Sequence, residues 1–203
     1  MMERNEKMAE ILESILPEQF EKSSVETVLY CEKNSSEIVA EFLNALKEAA
    51  EPVVRKEKKE AYRIHYLLFS CLHSSIFLKK YLIRIDLMRE SFYGDPPMAT
   101  AYWDAGAIYR LFEEDIEQIN QKVAKRLPRI REYEIDDMRY AYEPYYHRMA
   151  KKFICEMLEG IFEKKETEEK NLKILFGEYM GEADLLFVTE RERAYEIFQN
   201  LCG

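Results

Sequence analysis

Glu143 and His147 stand four residues apart in "YEPYYHRM". At that separation a helix brings a carboxylate up to an imidazole, where it orients the ring and favours its charged form. General-base chemistry uses this pairing, which makes Glu143 and His147 the catalytic candidates of the chain. Purely structural helix pairs use the same spacing, and Pro144 between the two residues interrupts the helical geometry on which the argument rests. The Glu-x-x-His spacing of di-iron helix bundles differs by one residue. The sequence contains no Walker glycine loop, Rossmann glycine triplet, GxSxG or HExxH.

A second group of chemically useful residues surrounds the stretch "KKYLIRIDLMRESFYGDPP", Lys79 to Pro97. Asp86 lies within it, Asp95 in its closing turn, and Trp103 and Asp104 just beyond. If the stretch is extended, Asp86, Asp95 and Trp103 gather where a strand, a turn and a helix start converge, and loops held by rigid elements commonly carry binding groups. Turn chemistry for Asp95 and helix capping for Asp104 account for the same residues without a ligand.

The third feature is aromatic. Tyr133, Tyr140, Tyr142, Tyr145 and Tyr146 fall within fourteen residues beside Arg139 and Arg148. Tyrosine and arginine are enriched at protein interfaces, so Tyr140, Tyr142, Tyr145 and Tyr146 form a candidate partner surface. The competing explanation has the rings rimming a core with their hydroxyls in water.

Metal chemistry has little support. His65 and His73 are eight residues apart, and with Asp86 they match no ligand pattern. The four cysteines, Cys31, Cys71, Cys155 and Cys202, are widely spaced with no CxxC, as expected of reduced thiols. We expect no metal and no cofactor. The N-terminal twenty residues mix acids among apolar positions, unlike a secretory leader, and no stretch approaches the ~20 apolar residues of a membrane span. The expectation is a cytoplasmic protein that does not enter a membrane.

The elements that must hold these residues follow from periodicity. Met8, Ile11, Leu12, Ile15 and Leu16 mark a helix that Pro17 stops. Asn34 and Glu37 have capping-box spacing ahead of a helix striped by Ile38, Phe42, Leu46 and Ala49. Pro52 fits the first turn of a further helix reaching Phe77, with Ala61, Ile64, Leu68, Cys71 and Leu72 inward and the charged run Arg55 to Glu60 on its solvated face. In the Lys79–Pro97 stretch, Ile83, Ile85 and Leu87 alternate with Arg84 and Asp86, a period of two that predicts a strand. A strand needs a partner, and "NLKILFGEYM" from Asn171 and "ADLLFVT" from Ala183 are the candidates.

Asp104 caps a helix running to the basic segment "KVAKRLPRIR", whose acids-first, bases-last gradient suits the helix dipole. Pro144 divides the next two helices, Glu163 to Asn171 is a surface connection, and a helix closes the chain.

Residues 1–203 are expected to form a single, mainly α multi-helix domain with a small antiparallel β element. Gly and Pro number only six each, which favours long helices over a turn-dense sandwich. A net charge of -9 repels phosphate and makes nucleic acid an unlikely partner. The leading functional expectation is a non-catalytic protein-interaction or regulatory domain, binding a protein partner or itself. The alternative is a small enzyme or ligand-binding domain, recognisable by a concave pocket that gathers its carboxylate and histidine candidates.

Overall fold

The structure is a computed structural model that describes residues 2–55, 63–166 and 171–203. The described helices are α1 (Met2–Lys33), α2 (Ser35–Val54), α3 (His73–Phe77), α4 (Phe112–Ala124), α5 (Glu132–Glu159) and α6 (Arg191–Cys202). The strands are β1 (Tyr66–Cys71), β2 (Leu82–Met88), β3 (Ala99–Asp104), β4 (Leu172–Glu178) and β5 (Ala183–Thr189). The chain divides into two compact units, Met1–Ser35 with Gly106–Ala150, and Ser36–Ala105 with Lys151–Gly203.

The first unit is helical, built from α1, α4 and residues 132–150 of α5. Met8, Leu12, Ile15 and Leu16 of α1 are buried, as are Phe112, Ile116, Ile119 and Val123 of α4. These are the apolar stripes that helical spacing anticipates. Among the carboxylates the unit buries is Asp115. Asp115 accepts from Gln19 Nε2 at 2.7 Å and Ser23 Oγ at 2.5 Å on one oxygen, and from the Tyr142 and Tyr146 hydroxyls at 2.7 Å each on the other. Four donors replace the water a buried carboxylate loses.

The second unit holds a five-stranded sheet in the order β3-β2-β1-β4-β5. β2 pairs antiparallel with β1 and β3, and β5 antiparallel with β4, but β1 and β4 are parallel. The architecture is therefore α+β with helices dominant, 59% of the described residues against 18% in the sheet. This corrects the expectation of a mainly α fold with a small antiparallel element. The sheet is mixed and is a full layer.

The missing strands had physical reasons for being missed. β1, "YLLFSC", is buried along nearly its whole length at the centre of the sheet. A strand covered on both faces is a continuous apolar run, which satisfies a helical template as readily as any other. β3, "ATAYWD", alternates strictly between buried and exposed, yet two of its three buried positions are alanine, a poor strand former. Asp104 is the last residue of β3 and no helix cap; α4 begins only at Phe112, after Leu111, with no side-chain cap bond.

Proline placement is the second correction. Pro17, Pro52 and Pro144, read as helix boundaries, all lie inside helices. Each is exposed, and so are Glu13, Glu48 and Tyr140, the residues four back whose carbonyls a proline cannot serve. Water can take the place of the forfeited bond, so long amphipathic helices tolerate the ring at these positions. Asn34 also departs from expectation, since its side-chain amide donates back to the Tyr30 carbonyl at 2.8 Å. The capping-box bond occurs instead on α5, where Glu134 accepts from the Arg131 amide at 2.7 Å.

The expected strand over Lys79–Phe92 is present as β2, with Ile83, Ile85 and Leu87 buried together, and both proposed partner segments are strands β4 and β5. One sheet face is covered by α2, whose Phe42 ring lies 5.8 Å from Phe69 and 5.2 Å, edge-on, from Trp103. The Cys202 thiol at the end of α6 approaches the Lys47 carbonyl of α2 at 3.9 Å. The opposite face carries a small apolar cluster of Leu68, Met88 and Leu175. Most of the Arg55–Glu60 run, with Ala61, and the middle of the Glu163–Asn171 connection lie outside the described residues.

Candidate functional site

The less covered face of the sheet in the second unit carries a cleft of about 320 Å3. Its floor comes from β2. Alternation along that strand sends Arg84, Asp86 and Met88 to this face while Ile83, Ile85 and Leu87 go to the α2 side. Thr100 of β3 is the direct cross-strand neighbour of Asp86, and its hydroxyl donates to Asp86 Oδ1 at 2.5 Å. Arg84 Nε donates to Asp86 Oδ2 at 2.7 Å. Asp86, 1% exposed, is thus a buried carboxylate satisfied by a cation and a hydroxyl.

Two connections build the walls. After β2 the chain turns through Phe92, a residue with φ of 51°, into Tyr93, Asp95, Pro96 and Pro97. It rejoins the sheet where the Met98 amide bonds the Leu87 carbonyl at 2.8 Å. Tyr93 packs on Phe92 with ring centroids 4.4 Å apart, and both rest on the Leu68–Met88–Leu175 cluster. The facing wall is the β4–β5 turn, Tyr179 and Met180. There the backbone takes a φ of 62° at Met180, and the Met180 amide donates to the Tyr93 hydroxyl at 3.2 Å. That bond joins the walls.

The electrostatics are local. The Arg84 guanidinium lies 4.5 Å from the centroid of the Tyr179 ring. Burial opposes its charge, but the hydrogen bond and charge of Asp86, helped by the phenols of Tyr179 and Tyr102, hold its pKa above the ordinary arginine value. At the mouth, exposed Asp95 accepts from Ser91 Oγ at 2.5 Å. The cleft therefore combines a neutralised ion pair, one further carboxylate, two phenol rings and apolar walls. Such a concave, mostly apolar site with a few placed polar groups suits reversible binding.

Of the residues singled out in the sequence, Asp86 and Asp95 meet in this cleft. Trp103 does not, being 2% exposed and packed on the opposite sheet face. Arg84, Tyr93, Tyr179 and Met180 were not among the predicted binding residues. The i, i+2 spacing of Arg84 and Asp86 on a strand was a legible sign of their pairing, whereas Tyr179 and Met180 reach the cleft only through the parallel pairing of β1 with β4.

The tyrosine group is split. Tyr142 and Tyr146 are wholly buried in the first unit and offer no surface. Burial and the adjacent Asp115 carboxylate push the Tyr142 phenol far above its usual pKa. Tyr140 is exposed, while Tyr145 is half-buried between Phe20, at 5.3 Å, and the Arg148 guanidinium, at 4.7 Å.

Glu143 and His147 do meet, at 3.0 Å between Oε1 and Nε2. Their side chains are 2% and 11% exposed, and the imidazole sits edge-on to Tyr109. A general base needs its target within about 3 Å, and these two side chains lie almost wholly beneath the surface of the first unit. His65 and His73 fall at opposite ends of β1, a strand about 20 Å long. His65 lies 3.9 Å from Glu90 and His73 lies 3.5 Å from Glu178. Among the described residues no group of three or more His, Cys, Asp or Glu is arranged to hold a metal ion, and no helix is long and apolar enough to cross a membrane.

No protein-family model matches the chain, and neither a curated protein nor a solved structure matches it.

Proposed function

We propose that this chain is a non-catalytic binding protein whose ligand seats in the cleft between the Phe92–Pro97 turn and the β4–β5 turn. The observation that carries this reading is the placement of a buried Arg84–Asp86 pair at the floor of a concave, aromatic-walled site whose two walls are tied by the Met180–Tyr93 hydrogen bond. A buried ion pair offers little net stability over an apolar pair of the same size, so its presence beneath a cleft favours a recognition role. A cytoplasmic setting is consistent with four free, dispersed thiols.

The test is a titration of the full chain with a panel of cationic, anionic and neutral compounds, followed by amide resonances. Binding should shift the amides of residues 84–100 and 177–183, and Tyr179→Ala should abolish the shifts. A panel that leaves those amides unmoved refutes the reading.

A protein-partner or self-association role is the second reading. Val25 and Leu29 lie four residues apart on α1, each 60% exposed, with Tyr30 beside them at 40%, an apolar row of the kind buried in helix docking. Sedimentation of the wild type and of Val25→Lys/Leu29→Lys tests it. A monomer in both cases, with no partner recovered, removes it.

A further inference from the structure

The charge of the cleft decides what it can hold. Arg84 and Asp86 neutralise each other across 2.7 Å, and Thr100 occupies the second Asp86 oxygen. Beyond this pair, the charge along the lining is that of Asp95, whose Oδ2 already accepts from Ser91. Met88, Tyr93, Pro96, Pro97, Tyr179 and Met180 are uncharged. The cleft thus carries one uncompensated negative charge, in a chain whose net charge is -9.

Resting on the binding role argued above, we infer that the ligand of this cleft is an organic cation, an alkylammonium or guanidinium head group on a short aliphatic stem. The head group pairs with Asp95 and the stem lies along Tyr93, Pro97 and Met180. Ring faces attract cations, most strongly where water is partly excluded, and the Arg84 guanidinium stacked on Tyr179 is an instance of that preference within the same cleft. An anion meets the opposite situation: the Asp95 carboxylate repels it, and Arg84, the cation of the lining, is already engaged by Asp86. A volume of about 320 Å3 suits a group the size of a lysine or arginine side chain, since it sits at the lower end of the roughly 300–1,000 Å3 range of ligand sites.

The head group has two natural sources, a free polyamine or a basic side chain presented by a peptide. The experiment titrates the full chain by calorimetry and amide resonances with n-butylammonium, 1,4-diaminobutane, Nα-acetyl-lysine N-methylamide, sodium acetate and inorganic phosphate. The three amines should shift the cleft amides and the two anions should not. Asp95→Asn, which keeps an oxygen for Ser91 and lies on an exposed turn, should weaken amine binding about tenfold or more. Tighter binding of the capped lysine than of the diamine assigns a peptide source, and the reverse order a free polyamine.

Binding of acetate or phosphate in place of the amines overturns the cation assignment while leaving the binding reading intact. Amine binding that ignores Asp95→Asn overturns it as well. Silence from all five compounds removes the assignment, and the wider panel of neutral compounds then decides the binding reading separately.

Discussion

Replacing Asp86 by leucine tests the floor of the cleft most directly. Leucine nearly preserves the shape of the side chain but leaves Arg84 charged, with 16% of its side chain exposed, and strands the Thr100 hydroxyl that donated at 2.5 Å. Two unit charges roughly 4 Å apart at an effective dielectric near 20 attract by about 4 kcal/mol, and breaking a buried pair by removing one partner costs about 3–5 kcal/mol. Partial access of water to Arg84 places the expected loss near the lower end, about 3 kcal/mol. The double substitution Arg84→Met/Asp86→Leu removes the orphaned charge as well and should recover about 2 kcal/mol of that loss. The assay is urea unfolding followed by fluorescence of Trp103, the single tryptophan of the chain, which is buried in the same unit. A single-variant loss below about 1 kcal/mol, or a double variant no more stable than the single one, would show that the pair is not the buried, mutually dependent unit described here.

Three further outcomes follow from the geometry. Asp115→Ala removes the shared acceptor of Gln19, Ser23, Tyr142 and Tyr146 and should cost about 3 kcal/mol or more, measured by thermal or urea unfolding; a neutral effect contradicts the network. The hydrogen bond from Arg4, against the opposing effect of burial, and that from the Arg131 amide hold the Glu134 pKa below the ordinary carboxylate value. A depressed carboxylate stabilises the fold above its unfolded pKa near 4.3 and loses that contribution as pH falls through the folded value. The stability gap between wild type and Glu134→Gln should therefore be full at pH 7 and close in acid, and a gap that widens below pH 4 refutes the sign. A methyl group on Gly177 would collide with the Glu182 carbonyl and come within 2.6 Å of Ala183 Cα, so Gly177→Ala should disturb the β4–β5 turn and weaken any binding in the cleft, read from the amides of Tyr179 and Met180.

Local pattern made several parts of this molecule legible. The alternation of Ile83, Ile85 and Leu87 with charged neighbours identified β2 because one of its faces is buried and the other is partly polar. The stripe of α2 was visible for the corresponding helical reason. β1 was opaque because burial on both faces erases the alternation. The three prolines misled because a ring on a solvent face costs a helix far less than a ring facing a packed neighbour, and the sequence does not state which face a residue will take. The splitting of the tyrosines had the same origin: Tyr142 and Tyr146 point into the first unit toward Asp115, while Tyr140 points out, although all three share one short segment.

The sequence by itself determined an acidic chain dominated by long helices, a strand through Ile83–Leu87, two further strands near the C-terminus and a set of carboxylates worth following. Only the tertiary structure decided which of them matter together. The parallel pairing of β1 with β4 carries Tyr179 and Met180 to the turn that holds Tyr93 and Asp95, and the antiparallel pairing of β2 with β3 sets Thr100 against Asp86. Both are contacts between residues distant in the chain, selected by the burial of whole sheet faces. Nearest-neighbour preferences act over a few residues and contain no information about which distant strand will complete the site.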